Sequence, residues 1–169
     1  DLRWRFLPVS EYLKLTDVQA ATRIGRYTGE IQSTQGAVQG TYYGVDRTDL
    51  TEVAFWREDF ADESLGALMN LLALRPDAVL LPSTFMRENI LNVGDTVQVG
   101  ARAYGALTPM RLTIVGSFDY FPGWYPETGP LAVGNLEHYF QVRQTQVPYH
   151  VWLKTASGTN YDRLEDELW

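Results

Sequence analysis

Residues 91–99 read Leu91-Asn92-Val93-Gly94-Asp95-Thr96-Val97-Gln98-Val99, and residues 112–118 read Leu112-Thr113-Ile114-Val115-Gly116-Ser117-Phe118. The first stretch is a turn leading into a strand, and the second is a strand expected to end at Gly116. Gly94 suits a backbone position with positive φ, and the Asp95 side chain can bond its own backbone to fix the turn. Neither stretch carries catalytic chemistry; together they are a structural signature.

Working outward, Thr96–Val99 and Arg111–Val115 are expected as strands separated by a Gly/Ala/Pro-containing linker. Upstream, Leu65, Leu68, Met69 and Leu72 fall at i, i+3, i+4 and i+7, one face of a helix. Asp62 is the expected cap of that helix and Pro76 its stop. Ala78–Leu81 is a short buried strand, followed by a helix capped by Ser83 with Met86 and Ile90 on one side. At the N-terminus Leu2, Trp4 and Phe6 alternate with arginines as a strand, and Ser10 is placed to cap a short helix. A long strand is expected over Ala20–Ile31. Its apolar register changes at Gly25, which predicts a β-bulge there. Ser33-Thr34-Gln35-Gly36 is a turn, and Val38–Val45 the returning strand. Towards the C-terminus, Asn135 is the expected cap of a helix burying Leu136, Tyr139 and Phe140. His150–Lys154 is a strand, and Asn160 caps a last helix using Tyr161, Leu164 and Leu168.

Composition narrows the classes. A chain of 169 residues fits one domain and buries roughly 70% of its unfolded surface. With 45% hydrophobic residues it is globular. The net charge of −7, with no basic run, argues against a nucleic-acid surface. The absence of cysteine excludes disulfides and thiolate metal sites. No stretch approaches the roughly 18 apolar residues of a membrane span, and no signal peptide is visible. A chain opening on Asp1 and closing on Trp169 inside a helical pattern reads as an excised piece of something longer.

The enzymatic motifs are missing. There is no Walker-type phosphate loop and no Gly-x-Gly-x-x-Gly after a strand. Gly116-Ser117-Phe118-Asp119 is not a nucleophile elbow. A triad built on His138 or His150 has no supporting motif, and a hydrolase would need a nucleophile within hydrogen-bond reach of either ring. Glu58, Asp59, Asp62 and Glu63 cluster without calcium-loop spacing and read as a solvated rim. No catalytic residue, metal or cofactor is expected.

Residues 118–126 hold five aromatics and two prolines (Phe118-Asp119-Tyr120-Phe121-Pro122-Gly123-Trp124-Tyr125-Pro126), which excludes helix and central strand. Two readings compete: a plug folded over the core, and an exposed patch for a protein partner. The expected mixture turns Phe118 and Phe121 inward and leaves Trp124 and Tyr125 at the rim. Phe121, Trp124 and Tyr125 are the partner-binding candidates.

Several segments resemble, in order, the MacB-like periplasmic core domain of FtsX-type ABC-transporter permease subunits. Val18-Gln19-Ala20-Ala21-Thr22-Arg23 is similar to the segment opening the first long strand of that family. Tyr43-Gly44-Val45-Asp46, the Phe55–Phe60 stretch, Val93-Gly94-Asp95-Thr96-Val97, Ile114-Val115-Gly116 and Val151-Trp152-Leu153-Lys154-Thr155 follow. The resemblance implies an α+β fold with a β-α-β lobe near the membrane, here residues 1–49 with 116–169, and an inserted mixed α/β lobe, here 50–115. It implies an extracytoplasmic location and a non-catalytic role relaying the motion of a separate cytoplasmic ATPase through transmembrane helices. A periplasmic or cell-wall protein partner is implied in some branches. The permease reading expects chain ends together at one end of the domain and no aromatic-lined pocket. Its rival, a free-standing module binding a peptide, lipid or glycan, expects such a pocket.

Overall fold

Six strands hydrogen-bond into a ring, and a seventh extends it at one edge. The computed structural model describes residues 6–168. In chain order the elements are α1 (Val9–Tyr12), β1 (Val18–Ser33), β2 (Gly36–Val45), α2 (Leu50–Val53), α3 (Leu65–Leu72), β3 (Ala78–Pro82) and α4 (Ser83–Glu88). Then come β4 (Thr96–Ala103), β5 (Ala106–Phe118), β6 (Leu131–Asn135), α5 (Leu136–Arg143), β7 (His150–Thr155) and α6 (Tyr161–Leu168). The sheet order is β2-β6-β3-β5-β4-β1-β7, and an additional β1–β2 pairing closes the ring. The architecture is mixed α+β. In this order the strands of 50–115 (β3, β4 and most of β5) are contiguous, and the pairings β3–β6 and β4–β1 join them on both sides to the strands of 1–49 and 116–169.

Strand β1 organises the ring because it is long enough to serve three partners. It pairs with β2 over Ile24–Ser33, with β4 over Gly29–Ile31 and with β7 over Val18–Ile24. One apolar cluster takes side chains from all six ring strands, among them Tyr27, Tyr42, Val79, Val99, Leu112 and Ala132, with Tyr139 of α5 and Phe85 of α4. A second cluster lies on the other face, where Ile24, Tyr43, Leu80, Val115 and Val133 meet Leu65, Leu68 and Leu72 of α3. Strand β3 is buried throughout because it lies between the two clusters and between two neighbouring strands.

This two-sided core corrects the expected bulge at Gly25. The β1–β2 register runs unbroken from Ile24↔Val45 to Ser33↔Gly36, and the irregularity of β1 lies between Val18 and Ala20, against β7. The apolar pattern changes at Gly25 because burial switches face: Ile24 belongs to the second cluster, and Tyr27 and Ile31 to the first. Gly25 is needed for space, as a Cβ there would meet Tyr27 and Leu136.

Other boundaries also differ from the sequence reading. Strand β5 does not end at Gly116; it continues to Phe118 because β3 pairs beside it as far as Pro82↔Phe118, with a register shift that skips Val115. Gly116 lies inside that strand, where a Cβ would press on Leu71 and Leu80. The expected linker before β5 is a tight hairpin. Tyr104 and Gly105 have φ of 51° and 74°, the left-handed values a two-residue turn between twisted strands demands. Helix α3 is capped by Ser64, whose hydroxyl accepts the Ala67 N–H at 3.1 Å, not by Asp62. Pro8 and Pro82, not Ser10 and Ser83, precede the short helices α1 and α4. Ile90 lies beyond α4 with positive φ and is 81% exposed, so it does not share a buried face with Met86.

Asn135 sits at the cap position of α5 but makes no cap hydrogen bond. Its amide donates instead to the carbonyls of Leu72, Arg75 and Pro76, at 3.0, 3.2 and 3.2 Å, closing the C-terminal end of α3. Asn160 does cap α6, accepting the Arg163 N–H at 3.1 Å. Of the expected α6 face only Leu164 is buried; Tyr161 and Leu168 are exposed. Of the expected strand over Leu2, Trp4 and Phe6, only Phe6 is among the described residues; its ring stacks on Tyr149 with centroids 5.2 Å apart.

Segments towards the two ends of the described chain meet. The Thr16 N–H donates to Glu167 at 2.8 Å, across 151 residues, and the Ala156 N–H donates to the Asp17 carbonyl at 2.9 Å. No helix among the described residues is long and apolar enough to cross a membrane.

Candidate functional site

The loop after β5 is built by its prolines and by ring packing. Pro122 and Pro126 keep it out of regular pairing, and Phe118, Phe121 and Trp124 fold back onto the second cluster. Phe118 lies 5.4 Å from Phe121 and 5.7 Å, edge-on, from Trp124, centroid to centroid. Phe121 also meets Tyr43 and Trp56 edge-on, at 6.2 and 5.9 Å. The Trp124 indole N–H donates to the Gly129 carbonyl at 2.9 Å, and the Tyr43 hydroxyl donates to the Gly123 carbonyl at 3.0 Å. Burial raises the Tyr43 pKa, with Arg26 opposing it, so the hydroxyl keeps its proton for that bond.

A second segment, Phe55–Phe60, forms the facing wall. The Phe60 carbonyl accepts the N–H groups of both Asp119 and Tyr120, at 2.7 and 3.1 Å. Trp56 packs edge-on against Phe60 at 5.3 Å, and Phe60 against Tyr120 at 6.2 Å. Between the walls lies a groove of about 470 Å³ whose lining includes Phe55, Phe60, Tyr120, Pro122, Tyr125 and Glu127. A second concavity, also about 470 Å³, lies between α2, β7 and α6 and shares Phe55 and Pro122 with the first.

The three candidate rings are therefore divided. Phe121 is buried. Trp124, expected at the rim, is only 7% exposed, because its N–H bond to Gly129 and its packing on Phe118 draw it inward. Tyr125 is 65% exposed at the mouth of the groove. The sequence reading missed Phe55, 75% exposed, and Phe60 as wall residues. The signal available was the aromatic pair Phe55-Trp56 beside an acidic run, a pattern unusual for a core helix. An aromatic-lined concavity is thus present, contrary to what the permease reading alone expected.

One carboxylate lines the groove, and others neighbour its wall residues in the sequence. Glu58, Asp59, Asp62 and Glu63 lie on the segment that carries Phe60, Asp119 precedes Tyr120, and Glu127 lines the opposite side. Asp59 is paired with Arg57 at 2.8 Å, and the Arg57 guanidinium also lies over the Phe60 ring, 5.9 Å from its centroid. Asp119 accepts a hydrogen bond from the Ser83 hydroxyl.

The remaining candidates lie elsewhere. Gly94 has φ of 97°; its N–H donates to the Ile114 carbonyl at 2.8 Å, and the Asp95 carboxylate accepts the Asn92 N–H at 2.8 Å. Gly94 and Asp95 therefore tie the turn before β4 to the Ile114 position of β5. His138 borders a smaller concavity with Arg75, Asn135, Glu137 and Gln141, where burial lowers its pKa and Asp77 opposes that shift; no hydroxyl or thiol lines it. Among the described residues no group of three or more His, Asp and Glu side chains is placed to hold a metal ion.

No protein-family model matches the sequence, and no curated protein matches it. Solved structures do. The extracellular domain of the noncanonic ABC-type transporter YknZ from Gram-positive bacteria superposes with a TM-score of 0.55 at 11% identity, covering 94% of this chain and 74% of that one. The periplasmic region of MacB from Actinobacillus actinomycetemcomitans superposes with a TM-score of 0.55 at 11% identity, covering 95% of this chain and 68% of that one. The fold of this chain is that of a MacB-like periplasmic domain.

Proposed function

We propose that the chain is the extracytoplasmic, non-catalytic domain of an ABC-transporter permease of the FtsX/MacB type. In this reading it is held at the cell membrane by transmembrane helices and coupled through them to a cytoplasmic ATPase. It relays ATP-driven movement to substrate export or to a periplasmic or cell-wall protein. The observation that carries the reading is the shared fold. The hydrogen bond between Thr16 and Glu167 supports it, since a domain inserted between two membrane helices leaves and returns at one end. A ring of strands closed by backbone pairing is a stiff body, suited to moving as a unit in a hinge or shear transition.

One observation favours a second reading. The aromatic groove beside Tyr125 is the feature expected of a free-standing extracytoplasmic module that binds a peptide, lipid or glycan. The reading frame on either side of Asp1 and Trp169 separates the two. Hydrophobic spans shortly upstream and downstream are expected for the permease. A signal peptide on one side and a stop codon on the other would overturn it.

A further inference from the structure

We propose that the groove between Phe55–Phe60 and Tyr120–Glu127 receives a basic segment of a protein partner, anchored by an apolar side chain and flanked by arginine or lysine. The walls are preformed. Phe60 is fixed by the N–H groups of Asp119 and Tyr120, and the far side by the Trp124–Gly129 hydrogen bond, so little ordering is required on binding. Phe55, Tyr120 and Tyr125 present rings to solvent at the mouth of this groove, where single apolar anchors contribute most.

Charge selects the partner. Glu127 lines the groove, and Glu58, Asp62 and Glu63 are exposed within three residues of the wall residue Phe60; none of the four makes an ion pair among the described residues, while the one arginine of this segment, Arg57, pairs with Asp59. The chain as a whole carries −7, so its field attracts cations and repels acidic surfaces. Arg57 over the Phe60 ring shows that a ring face on this wall already accommodates a guanidinium. The groove and the adjoining concavity share Phe55 and Pro122, so a chain segment crossing those two residues would reach both, as a compact solute would not. An anionic lipid surface is disfavoured by the same carboxylates.

Three fluorescein-labelled dodecapeptides test the proposal. They share a central tryptophan and leucine and differ only in carrying four arginines, four glutamines or four glutamates. Fluorescence anisotropy with the 169-residue chain is expected to rank them basic, neutral, acidic, with the basic probe at least about tenfold tighter than the acidic one. That preference should shrink as salt is raised. The double variant Phe55→Ala/Tyr125→Ala should lose binding, and Asp62→Asn/Glu63→Gln/Glu127→Gln should lose the preference for arginine. Circular dichroism checks that both variants fold, as their altered side chains are largely solvent-facing. Binding of none of the probes, equal binding of all three, or binding untouched by the double variant would overturn the proposal. So would selective binding of phosphatidylglycerol vesicles, or a dimer of the chain that the double variant dissolves. The measurement needs no membrane span, so its failure leaves the permease reading standing, and a soluble reading frame leaves this proposal standing.

Discussion

The guanidinium of Arg23 holds the carboxylate of Asp46 with two hydrogen bonds, Nε at 2.7 Å and Nη2 at 2.9 Å. Glu137 accepts a third bond from Nη2 at 2.7 Å, and the Tyr149 ring lies 5.5 Å away. Burial alone would lower the pKa of Arg23; the hydrogen bonds and charges of Asp46 and Glu137 more than reverse this and raise it. The two segments that resemble family motifs, Ala20-Ala21-Thr22-Arg23 and Gly44-Val45-Asp46, are therefore one structural unit joining β1 to the end of β2.

Arg23→Ala should lower unfolding stability by about 2–4 kcal/mol, because it leaves the mostly buried Asp46 carboxylate unpaired. Glu137→Ala, at the solvent-facing bond, should cost under about 1 kcal/mol. Urea unfolding of the two variants checks the ranking, and equal effects would show that the buried half of the cluster is not special.

Trp124 and Tyr125 are adjacent in sequence and opposite in role. Trp124→Ala should cost about 3–5 kcal/mol through lost packing and an unpaired Gly129 carbonyl. Tyr125→Ala should stay within about 0.5 kcal/mol. Thermal melts of both variants test this directly; a large loss at Tyr125 would place its ring in the core.

Gly94→Val forces a β-branched residue to φ of 97° in a site with no neighbour within 4 Å, so the cost is conformational and not steric. A loss of about 1–3 kcal/mol is expected, and Gly94→Asn should lose less. Unchanged thermal unfolding of the valine variant would remove the argument from backbone geometry.

Asn135→Leu keeps the branched four-atom shape of the side chain at a buried position but strips three carbonyls of their donor, and a loss of about 2–3 kcal/mol is expected. Amide hydrogen exchange should show the end of α3 fraying first. Protection unchanged in residues 68–73 would mean that water serves these carbonyls equally well.

How much of this was legible in the sequence depends on whether the controlling contact is local. The α3 face at Leu65, Leu68, Met69 and Leu72 follows from its own spacing, and all four are buried. Ala78–Leu81 declares itself by being apolar without alternation, as a strand covered on both sides must be. Gly25 misled because alternation reports which face is buried only while that face stays the same; β1 passes from one cluster to the other, and no local rule signals the change. The job of Asn135 depends on carbonyls some 60 residues away and cannot be read from a cap position. Within the aromatic loop nothing periodic ranks the rings, so the burial of Trp124 was settled by Gly129, and Phe55 and Phe60 became visible as walls only when the two segments met.

Asp77 gives the pH dependence. Its hydrogen bond to Arg75 is the main cause of a pKa below the ordinary 3.8, with burial opposing and Thr113 assisting. A depressed carboxylate contributes stability that is present above its unfolded value and lost as pH falls through the folded one. The melting temperature should therefore drop below about pH 4, and Asp77→Asn should drop less over the same interval. Parallel pH profiles for the two proteins would rule out Asp77 as a source of acid sensitivity.

Strand β1 has one further consequence. From Ala20 to Ser33 it runs about 45 Å at the usual strand rise, bonded along its length to β7, β2 and β4 without a break in register. Gly29 locks it to β4 so closely that a methyl there would strike the Gly100 carbonyl. Such a strand has no joint. Sliding it requires whole ladders of hydrogen bonds to shear at once, so β1 and the strands bonded to it resist slipping past one another from Ala20 to the Ser33–Gly36 turn.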